Sequence, residues 1–450
     1  MTNSAGGLRA DDEPCRSDSA SGGRRLRDFF RNLFLLRERI GKVVNAKTWG
    51  ISNAATSLYR SATLHRQRVV VVTGSVGKTT TTRAVLGVLR GHAPEWVHAG
   101  DNCFASVGWN LVRQWMSQPF AVLEVGIGGP GQMPRYAASL RPDVVVMTAL
   151  ASDHVGRFPD AQGLWEEKAS MVRSLGSDGI ALLNGDDHAV LRMAGISEAR
   201  IVTFGLSADC DMSAREPLYR AEGTRFRLVG DGIDAIVEAR VVGRDAVRAL
   251  VAAAAVGRLA GIDPAAMLTR LEALPAAPGR MQPMRLRSGA TAICDDFKAG
   301  NETVHAAIDW LEAIAARRKI ILLGSLFRPG KPRGEKYAAV GRRVASFADR
   351  IVLFGRRARL YDHGFAALSD AVPVDRVRSI DGAVRLLENV LQPGDVVLLK
   401  GRGEEKLSRI ALRLAGDPVD CPIPFCTLEN VTCQECPHAR SGLLFQRACP

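Results

Sequence analysis

Short apolar runs alternate with longer amphipathic stretches along most of the chain. After residue 68, runs of Val, Ile and Leu repeatedly end in Gly or Asp, and stretches with helical spacing separate them. Short continuous apolar runs are typical of parallel strands that helices cover on both faces. The pattern predicts five such strands in the first half of the chain, at 69–72, 121–125, 144–148, 180–183 and 201–204.

The pattern changes between residues 217 and 280. Residues 217–242 alternate polar and apolar positions between Gly-rich turns, as antiparallel hairpins do. An Ala-rich helix follows at 246–259, and a Pro- and Gly-rich stretch at 274–280 predicts a hinge. A second alternating unit then runs to about Leu414, with strands predicted at 292–294, 320–323, 351–354 and 396–399.

The N-terminal region has a different character. Residues 1–23 are rich in Ser, Gly, Asp and Glu and are predicted to be a disordered tail. Residues 24–66 form a basic, amphipathic and helical segment. Two interpretations of it stay open: packing on its own domain with the basic face in water, or peripheral contact of residues 24–47 with an anionic membrane. The first is favoured because most amphipathic helices are structural.

Composition narrows the class of partner. The net charge is +13, and residues 1–68 hold 13 basic and 6 acidic side chains, so more than half of the excess lies there. Such a balance suits anionic partners, but an aromatic content of 6% without a stacking motif argues against nucleic acid. The chain has no apolar run long enough to span a membrane and an odd number of cysteines. We expect a cytoplasmic protein, at the inner face of the membrane if residues 24–47 contact lipid.

The strongest motif directly follows the first predicted strand. Its backbone N–H groups and the helix that begins there are suited to hold phosphate oxygens, with a lysine charge and a hydroxyl ligand for Mg²⁺ beside them. The usual pattern has a Gly at position 72, which is Val here. We therefore predict a shortened phosphate-binding loop made of Gly74, Ser75, Val76, Gly77, Lys78, Thr79 and Thr80.

These features together predict an α/β fold in several parts. A P-loop central domain with a mostly parallel sheet is expected at 67–275, and a Rossmann-like α/β C-terminal domain at 278–416. Residues 417–450 form a Cys-rich tail.

Three further polar residues are candidates for the same cleft. Glu124 and His154 follow two predicted strands whose carboxyl ends point the same way as the phosphate loop. Because the carboxyl ends of parallel strands meet at one edge of a sheet, we expect these side chains to lie near the phosphates. Lys168 stands on a predicted helix, and its own chemistry does not distinguish a site residue from a solvated one.

A second glycine pattern follows Glu124. Gly126, Gly128 and Gly131 satisfy the spacing of a dinucleotide-binding loop. We reject that interpretation because Glu124 offers a carboxylate where a metal near the phosphates would lie, and the Lys78 loop already accommodates a nucleotide.

Nine short segments, taken in order, resemble those of the Mur ligases. The resemblance is closest to the branch that adds D-alanyl-D-alanine and covers about residues 67–415. This family uses ATP and Mg²⁺ to activate a carboxylate as an acyl phosphate, which an amine attacks to form an amide. The segments are TGSVGKTTTT, LEVGIGGPGQM, RPDVVVMTALASDHVGRF, EEKASMV, LLNGDD, PGRM, DDFKAGNET, ILLGSL and VVLLKGRG.

The resemblance implies roles around the triphosphate. Lys78 would hold the β and γ phosphates, and Thr79 would bind a first Mg²⁺. Glu124 and His154 would bind a second Mg²⁺. Lys168 matches the lysine that reacts with CO₂ in many members, and its carbamate would supply a further oxygen ligand.

Other matched residues are expected to contact the nucleotide or the phosphates. Arg280 matches a hinge arginine that reaches the phosphates when the C-terminal domain closes. For Asn184, a role as a turn-forming cap is as well supported as nucleotide contact. The remaining matches are Asp295 or Asp296 at the ribose, Asn301 at the adenine edge and Lys400 in the cleft.

The chain departs from the family at two places. Relatives in this branch have Tyr-Asn-Ala-Asn-Pro where residues 297–302 read FKAGNE, so acceptor or nucleotide contacts are expected to differ. Only about 66 residues precede the phosphate loop, and no full domain for a UDP moiety is evident in them. We therefore expect the acid to be a small molecule or a lipid-linked or polymeric one, joined to an amine acceptor.

Two alternatives to a ligase remain. One is a non-catalytic nucleotide-binding subunit or scaffold of the same fold. The other is a P-loop kinase or switch NTPase, which would phosphorylate a hydroxyl and needs no second α/β domain. The sequence does not indicate the oligomeric state.

The cysteines of the tail suggest a metal. Cys421, Cys426, Cys433 and Cys436 are closely spaced, and thiolates this close in a reducing compartment favour Zn²⁺ or an iron–sulfur cluster. The spacing matches no standard zinc finger, so unligated cysteines on a tail are the alternative.

Overall fold

The computed structural model covers the central part of the chain and some of the tail. The predictions for residues 1–23, for residues 24–43 of the basic segment and for His154 fall outside the described residues. The described residues are 44–63, 66–93, 102–114, 118–150, 158, 160–327, 332–365, 372–419, 421, 423–426, 428, 432–434 and 436.

A first sheet of eight strands, the phosphate-loop sheet, has the order β2-β1-β3-β4-β5-β6-β7-β8. Neighbouring strands from β2 through β6 are parallel, and β6, β7 and β8 pair antiparallel. The strands are β1 (Arg68–Thr73), β2 (Phe120–Glu124), β3 (Val144–Met147), β4 (Ile180–Asn184), β5 (Arg200–Gly205), β6 (Met212–Tyr219), β7 (Thr224–Gly230) and β8 (Ile233–Ala239).

Helices pack on both faces of this sheet. In β1, Val70 and Val72 belong to one apolar core, while Val69 and Val71 belong to another on the opposite face. This double burial explains the continuous valine run. The helices are α1 (Trp49–Thr63), α2 (Lys78–Val88), α3 (Ala105–Arg113), α4 (Gln132–Leu140), α5 (Ala161–Arg173), α6 (His188–Leu191), a 3₁₀ helix (Arg192–Ile196), α7 (Arg244–Leu259) and α8 (Pro264–Ala273).

A second sheet, the C-terminal sheet, has the strand order β13-β12-β11-β14-β10-β9. All its pairings are parallel except that of β9 with β10. Its strands are β9 (Gln282–Arg285), β10 (Thr291–Asp295), β11 (Lys319–Leu323), β12 (Arg350–Phe354), β13 (Val374–Val377) and β14 (Val396–Lys400). Its helices are α9 (Asn301–Ala313), α10 (Arg333–Ala345), a 3₁₀ helix (Ala358–Gly364), α11 (Ile380–Val390) and α12 (Ser408–Ala415).

The predicted α/β fold and the positions of the predicted strands are confirmed, but β9 and β13 were not expected. Both lie at an edge of the C-terminal sheet. β9 contains Pro283, which an edge strand tolerates because one side needs no ladder hydrogen bonds. β13 includes Asp375 and Arg376 and is partly solvated, so it lacks the apolar run that marks an interior strand.

Helix α1 shows how part of the basic segment is anchored. The Arg60 side chain is 0% exposed. Its guanidinium donates to the carbonyls of Gln67, Leu140 and Arg141 and pairs with the Asp143 carboxylate at 2.5 Å. This part of the segment therefore packs on its own domain. No helix among the described residues has the length and apolarity required to cross a bilayer.

Candidate active site

The phosphate loop joins β1 to α2 and leaves no room for a side chain at its start. Gly74 has φ +144, and a Cβ there would lie 2.0 Å from the Thr148 hydroxyl. That hydroxyl donates to the carbonyls of Thr73 and Val76, at 3.1 and 2.6 Å. The loop is thereby fastened to the end of β3, and glycine is required at position 74.

Two lysine side chains converge on this loop. Lys78 Nζ donates to the carbonyls of Gly74 and Ser75 at 2.8 and 3.2 Å. Lys168 Nζ donates to the same Gly74 carbonyl at 2.8 Å. Burial lowers the pKa of Lys78 to about 8, although the Glu124 carboxylate acts in the opposite direction. The site therefore concentrates positive charge where phosphate oxygens are expected.

Lys168 is an internal residue. Its side chain is 1% exposed, so the interpretation as a solvated helix residue is wrong. Burial, and then the charges of Lys78 and Lys298, hold its pKa well below that of an ordinary lysine. Both effects favour the neutral, nucleophilic form of the amine.

The neighbouring Glu167 fixes the helix that carries Lys168. Its carboxylate accepts hydrogen bonds from the backbone N–H groups of Gly131 and Met133, at 2.8 and 2.7 Å, at the start of α4. A carboxylate therefore already occupies the helix N-terminus that follows the second glycine pattern. This geometry agrees with the rejection of a dinucleotide site there.

Glu124 is the carboxylate at the centre of the site and is 5% exposed. Its Oε1 accepts hydrogen bonds from the Thr79 hydroxyl at 3.0 Å and from the Asn102 amide at 2.6 Å. Its Oε2 is buried without a hydrogen-bond partner among the described residues. A buried carboxylate oxygen without a hydrogen bond is costly, so it indicates a place for a further partner. The Glu124 Oε2 and the Thr79 hydroxyl are both oxygen ligands suited to a hard cation such as Mg²⁺.

Arg280 connects the hinge to the phosphate loop. Its guanidinium donates to the Thr79 hydroxyl at 3.1 Å and lies 4.1 Å from the centre of the Phe297 ring. The hydroxyl thus accepts from Arg280 and donates to Glu124. The hinge and the end of β2 therefore meet at Thr79.

The ends of two neighbouring strands of the C-terminal sheet carry a buried pair, Asp295 and Lys400. Asp295 and Lys400 are paired in register at the ends of β10 and β14. Lys400 is buried and donates to Asp295 Oδ2 at 2.6 Å and to the carbonyl of Lys298 at 2.8 Å. The lysine is thus engaged in supporting the 295–298 segment. Asn301, the first residue of α9, is exposed.

A small cavity next to Thr79 is lined by residues of α2, of the hinge, of the C-terminal sheet and its connecting segments, and of the tail. Asp296 lies in its wall and accepts a hydrogen bond from the Ser408 N–H at 2.7 Å, while burial raises its pKa. Sequence reasoning missed the cationic residues Arg83 and Lys406, which also line it. Their positions depend on how the two sheets meet, for which the sequence has no local signal.

Asn102 and Lys298 were also missed as site residues. Asn102 lies in the segment before α3, far in sequence from the loop it supports, and no motif surrounds it. Lys298 falls in the FKAGNE departure, and its charge acts on both Lys78 and Lys168. The departure itself was the signal for Lys298.

Asn184 and Asp186 serve the turn after β4. The Asn184 side chain accepts from the Asp186 N–H at 3.1 Å. Asp186 accepts from the N–H groups of Leu206 and Ser207 and pairs with Arg248 at 2.6 Å. These contacts match the interpretation of Asn184 as a turn-forming cap.

The metal centre predicted for the tail is not supported. Within the described residues, no three His, Cys, Asp or Glu side chains lie close enough to hold a metal ion. Cys433 and Cys436 are instead buried, and burial raises the pKa of Cys433 to about 12.

The sequence of the chain is similar to those of a known protein family. The chain matches the Mur ligase middle domain over residues 72–257 and the Mur ligase, glutamate ligase domain, over residues 279–403. It is 25% identical over 350 residues to the UDP-N-acetylmuramoyl-tripeptide–D-alanyl-D-alanine ligase of Haemophilus influenzae, which covers 76% of this chain and 74% of that protein.

Two further matches extend the comparison. The UDP-N-acetylmuramoylalanine–D-glutamate ligase of Methylococcus capsulatus is 30% identical over 337 residues, covering 74% of this chain and 67% of the relative. A MurF ligase of Thermotoga maritima, solved in complex with ADP, shares the fold with a TM-score of 0.68 at 19% identity, over 82% of this chain and 83% of that one. With both family domains matched in order, this chain belongs to the Mur ligase family and is a ligase of the ATP-dependent, amide-bond-forming kind.

Proposed function

We propose that this ligase joins a carboxylic acid to an amine through an acyl phosphate formed at the Thr79 site. The observation that carries the proposal is the buried Oε2 of Glu124, which has no hydrogen-bond partner among the described residues and lies beside the Thr79 hydroxyl, near the cationic groups of Lys78 and Arg280. Such a site compensates the negative charge that gathers when a carboxylate approaches a triphosphate.

The reaction balances in two steps. A carboxylate oxygen of the acid attacks the γ-phosphorus of ATP, the bond to the β-phosphate oxygen breaks, and ADP leaves. The nitrogen of the amine then attacks the acyl carbon, phosphate leaves with the carboxylate oxygen, and the nitrogen loses a proton. Lys78 and Arg280 hold the phosphoryl oxygens in both steps, and closure about the hinge excludes water from the acyl phosphate.

The metal ligands are part of the proposal. Thr79 and Glu124 would hold Mg²⁺, with His154 as a further ligand expected from the family pattern. When bound, Mg²⁺ neutralises phosphate charge. Lys168 would add its neutral amine to CO₂, forming an N–C bond and losing a proton, so that the buried side chain becomes an anionic oxygen ligand.

The remaining expectations belong to the same proposal. The names of the relatives suggest an acid that is a small-molecule or lipid-linked cell-envelope precursor ending in a carboxylate. Asp295 or Asp296 and Asn301 would contact the nucleoside, and Lys400 would act by supporting that segment. The domain limits remain proposals at 67–275 and 278–416, and the proposed location is the cytoplasm. Peripheral membrane contact through residues 24–47 is the less favoured alternative to packing of the basic segment on its own domain.

A screen of acid and amine pairs with ATP tests the function. We expect ADP and phosphate to be released only when both substrates are present, with an amide in the product mass. Lys78→Ala should lower kcat by about 10²–10³-fold, since a charge aimed at the phosphates is lost.

The matched control is Lys336→Ala, which removes an exposed lysine on α10. A phosphoester product would instead indicate a kinase. Nucleotide binding without acceptor-dependent phosphate release, over the whole panel, would indicate a non-catalytic subunit and contradict the proposal.

A further inference from the structure

Part of the Cys-rich tail packs beside the active site. We call its described residues between 421 and 436 the docked tail. They lie beyond the 279–403 region that matches the family domain. Residues 432–434 line the small cavity next to Thr79. A segment outside the matched domains therefore forms part of the wall beside the phosphate loop.

Arg409 of α12 ties the docked tail to the β14–α12 loop, which comprises residues 401–407. The Arg409 side chain is buried, and its guanidinium donates to the carbonyls of Cys421 and Ile423 at 3.0 and 2.8 Å. It also donates to two carbonyls of the loop, at 3.2 Å each. One charged donor thus holds both segments, and such hydrogen bonds are stronger than those between neutral groups.

Two further contacts fasten the docked tail to the β14–α12 loop. The Cys426 N–H donates to the Glu404 carbonyl at 2.7 Å. The Arg402 guanidinium lies 5.7 Å from the centre of the Phe425 ring and 5.6 Å from that of the Phe327 ring. Phe425 is 50% exposed and belongs to none of the four apolar cores. Its ring therefore contacts the loop through a cation–π interaction and does not fill a core.

The β14–α12 loop packs directly on the backbone of Phe297. At Gly403 a Cβ would lie 2.8 Å from the Phe297 carbonyl oxygen, so the loop approaches as closely as glycine allows. At the start of α12, the Ser408 N–H donates to the Asp296 carboxylate at 2.7 Å. The position of the 296–297 segment therefore depends on this loop.

Phe297 in turn supports Arg280. The Arg280 guanidinium lies 4.1 Å from the centre of the Phe297 ring and donates to the Thr79 hydroxyl at 3.1 Å. A series of direct contacts thus leads from Phe425 to the phosphate loop. Displacement of a phosphate-binding group by about 1 Å can lower a reaction rate by about 10²-fold.

We infer that the docked tail is a positioning element of the active site, in which Phe425 acts on the phosphates through the β14–α12 loop, Phe297 and Arg280. This inference rests on the proposed function, because it takes Arg280 to hold the transferred phosphoryl group. The tail should therefore affect the binding of nucleotides that have a γ-phosphate and leave the binding of ADP unchanged.

Nucleotide binding to the full chain tests the inference without catalysis. In isothermal titration with Mg²⁺, Phe425→Ala should weaken the binding of AMP-PNP, a non-hydrolysable ATP analogue, by about 5-fold or more and leave that of ADP unchanged. Phe425→Tyr keeps an aromatic face for Arg402 and should bind both nucleotides as the wild type does. The control Ile236→Ala removes an exposed apolar side chain from β8 and should have no effect.

A second pair of variants acts on the backbone bond of the docked tail. Cys426→Pro removes the N–H that donates to Glu404, whereas Cys426→Ala keeps it. Cys426→Pro should reproduce the loss seen in Phe425→Ala, and Cys426→Ala should bind as the wild type does. Equal losses in the two Cys426 variants would overturn the inference. Unchanged melting temperatures verify that each variant is folded.

A double-mutant cycle separates positioning through Arg280 from a general structural effect. In an Arg280→Ala background, Phe425→Ala should cause no further loss of AMP-PNP binding, because the group on which it acts is missing. Additive losses, equal weakening of AMP-PNP and ADP, or wild-type binding by Phe425→Ala would each overturn the inference.

Failure of the proposed ligase function gives a different pattern. If no acid and amine pair releases phosphate while Phe425→Ala still weakens AMP-PNP alone, the ligase function fails and the positioning role stands. If an amide is formed and Phe425→Ala binds AMP-PNP as the wild type does, the positioning role fails and the ligase function stands.

Discussion

At the scale of single residues, the phosphate loop depends on the missing side chain of Gly74. Gly74→Ala would force a Cβ against the Thr148 hydroxyl in a backbone conformation that other residues rarely adopt. We expect a loss of about 1–3 kcal/mol in the free energy of unfolding and a clear fall in ATP affinity. Chemical denaturation and nucleotide titration measure the two effects.

Gly129→Ala is the matched control for Gly74→Ala. Gly129 has no positive φ and nothing within 4 Å of an added Cβ. Wild-type ATP affinity in Gly74→Ala would contradict the described loop geometry.

Lys168 provides a second test at this scale. Because burial holds its pKa well below that of an ordinary lysine, the neutral amine that reacts with CO₂ is favoured more at Lys168 than at an exposed lysine. We expect a carbamate signal in ¹³C NMR of the wild type with ¹³C-bicarbonate, and none in Lys168→Ala, which should be inactive but folded.

Raising the pH from 7 to 9 should change the Lys168 carbamate signal much less than it would for an exposed lysine, whose amine is mostly protonated at pH 7. Full activity of Lys168→Ala would contradict the carbamate assignment.

At the scale of secondary-structure elements, Arg60 fastens α1 to the phosphate-loop sheet. Arg60→Met removes four polar contacts and leaves Asp143, which is 31% exposed, without its partner. We expect a loss of about 3 kcal/mol in the free energy of unfolding, typical of breaking a buried pair from one side. Urea denaturation measures it.

Arg173→Met breaks an exposed pair with Glu166, whose side chains are 48% and 50% exposed, and should cost less than about 1 kcal/mol. Equal effects of Arg60→Met and Arg173→Met would contradict the role assigned to Arg60.

Secondary-structure elements differ in how well the sequence predicts them. Interior strands such as β1 were predictable because burial on both faces demands an unbroken apolar run. β13 was not, because an edge strand with Asp375 and Arg376 carries a mixed pattern. The phosphate loop was predictable from local chemistry, whereas Asn102 and Arg83 reach the site only through contacts between distant segments.

At the scale of the whole molecule, the described part of the tail packs against α12 and the loop before it, where Arg409 donates to the carbonyls of Cys421 and Ile423 and the Cys426 N–H donates to the Glu404 carbonyl. Burial raises the pKa of the Cys433 thiol to about 12, so the reactive thiolate is scarce at pH 8 and becomes common only as the pH approaches that value. Iodoacetamide at pH 8 should therefore label Cys433 at least 10-fold more slowly than Cys426, as followed by peptide mass spectrometry.

Equal labelling of Cys433 and Cys426 would contradict the docked tail. Elemental analysis of the purified protein tests the tail for metal directly. One equivalent of zinc per chain would show that the tail cysteines bind a metal ion, as the sequence had suggested.

The central claim is that a carboxylate is activated as an acyl phosphate at Thr79 before an amine captures it. The most direct measurement uses the acid substrate found in the screen, labelled with ¹⁸O in its carboxyl group, together with ATP and the amine. The account predicts that the released phosphate carries one ¹⁸O atom from the acid. Release of unlabelled phosphate, or of labelled AMP with pyrophosphate, would contradict it.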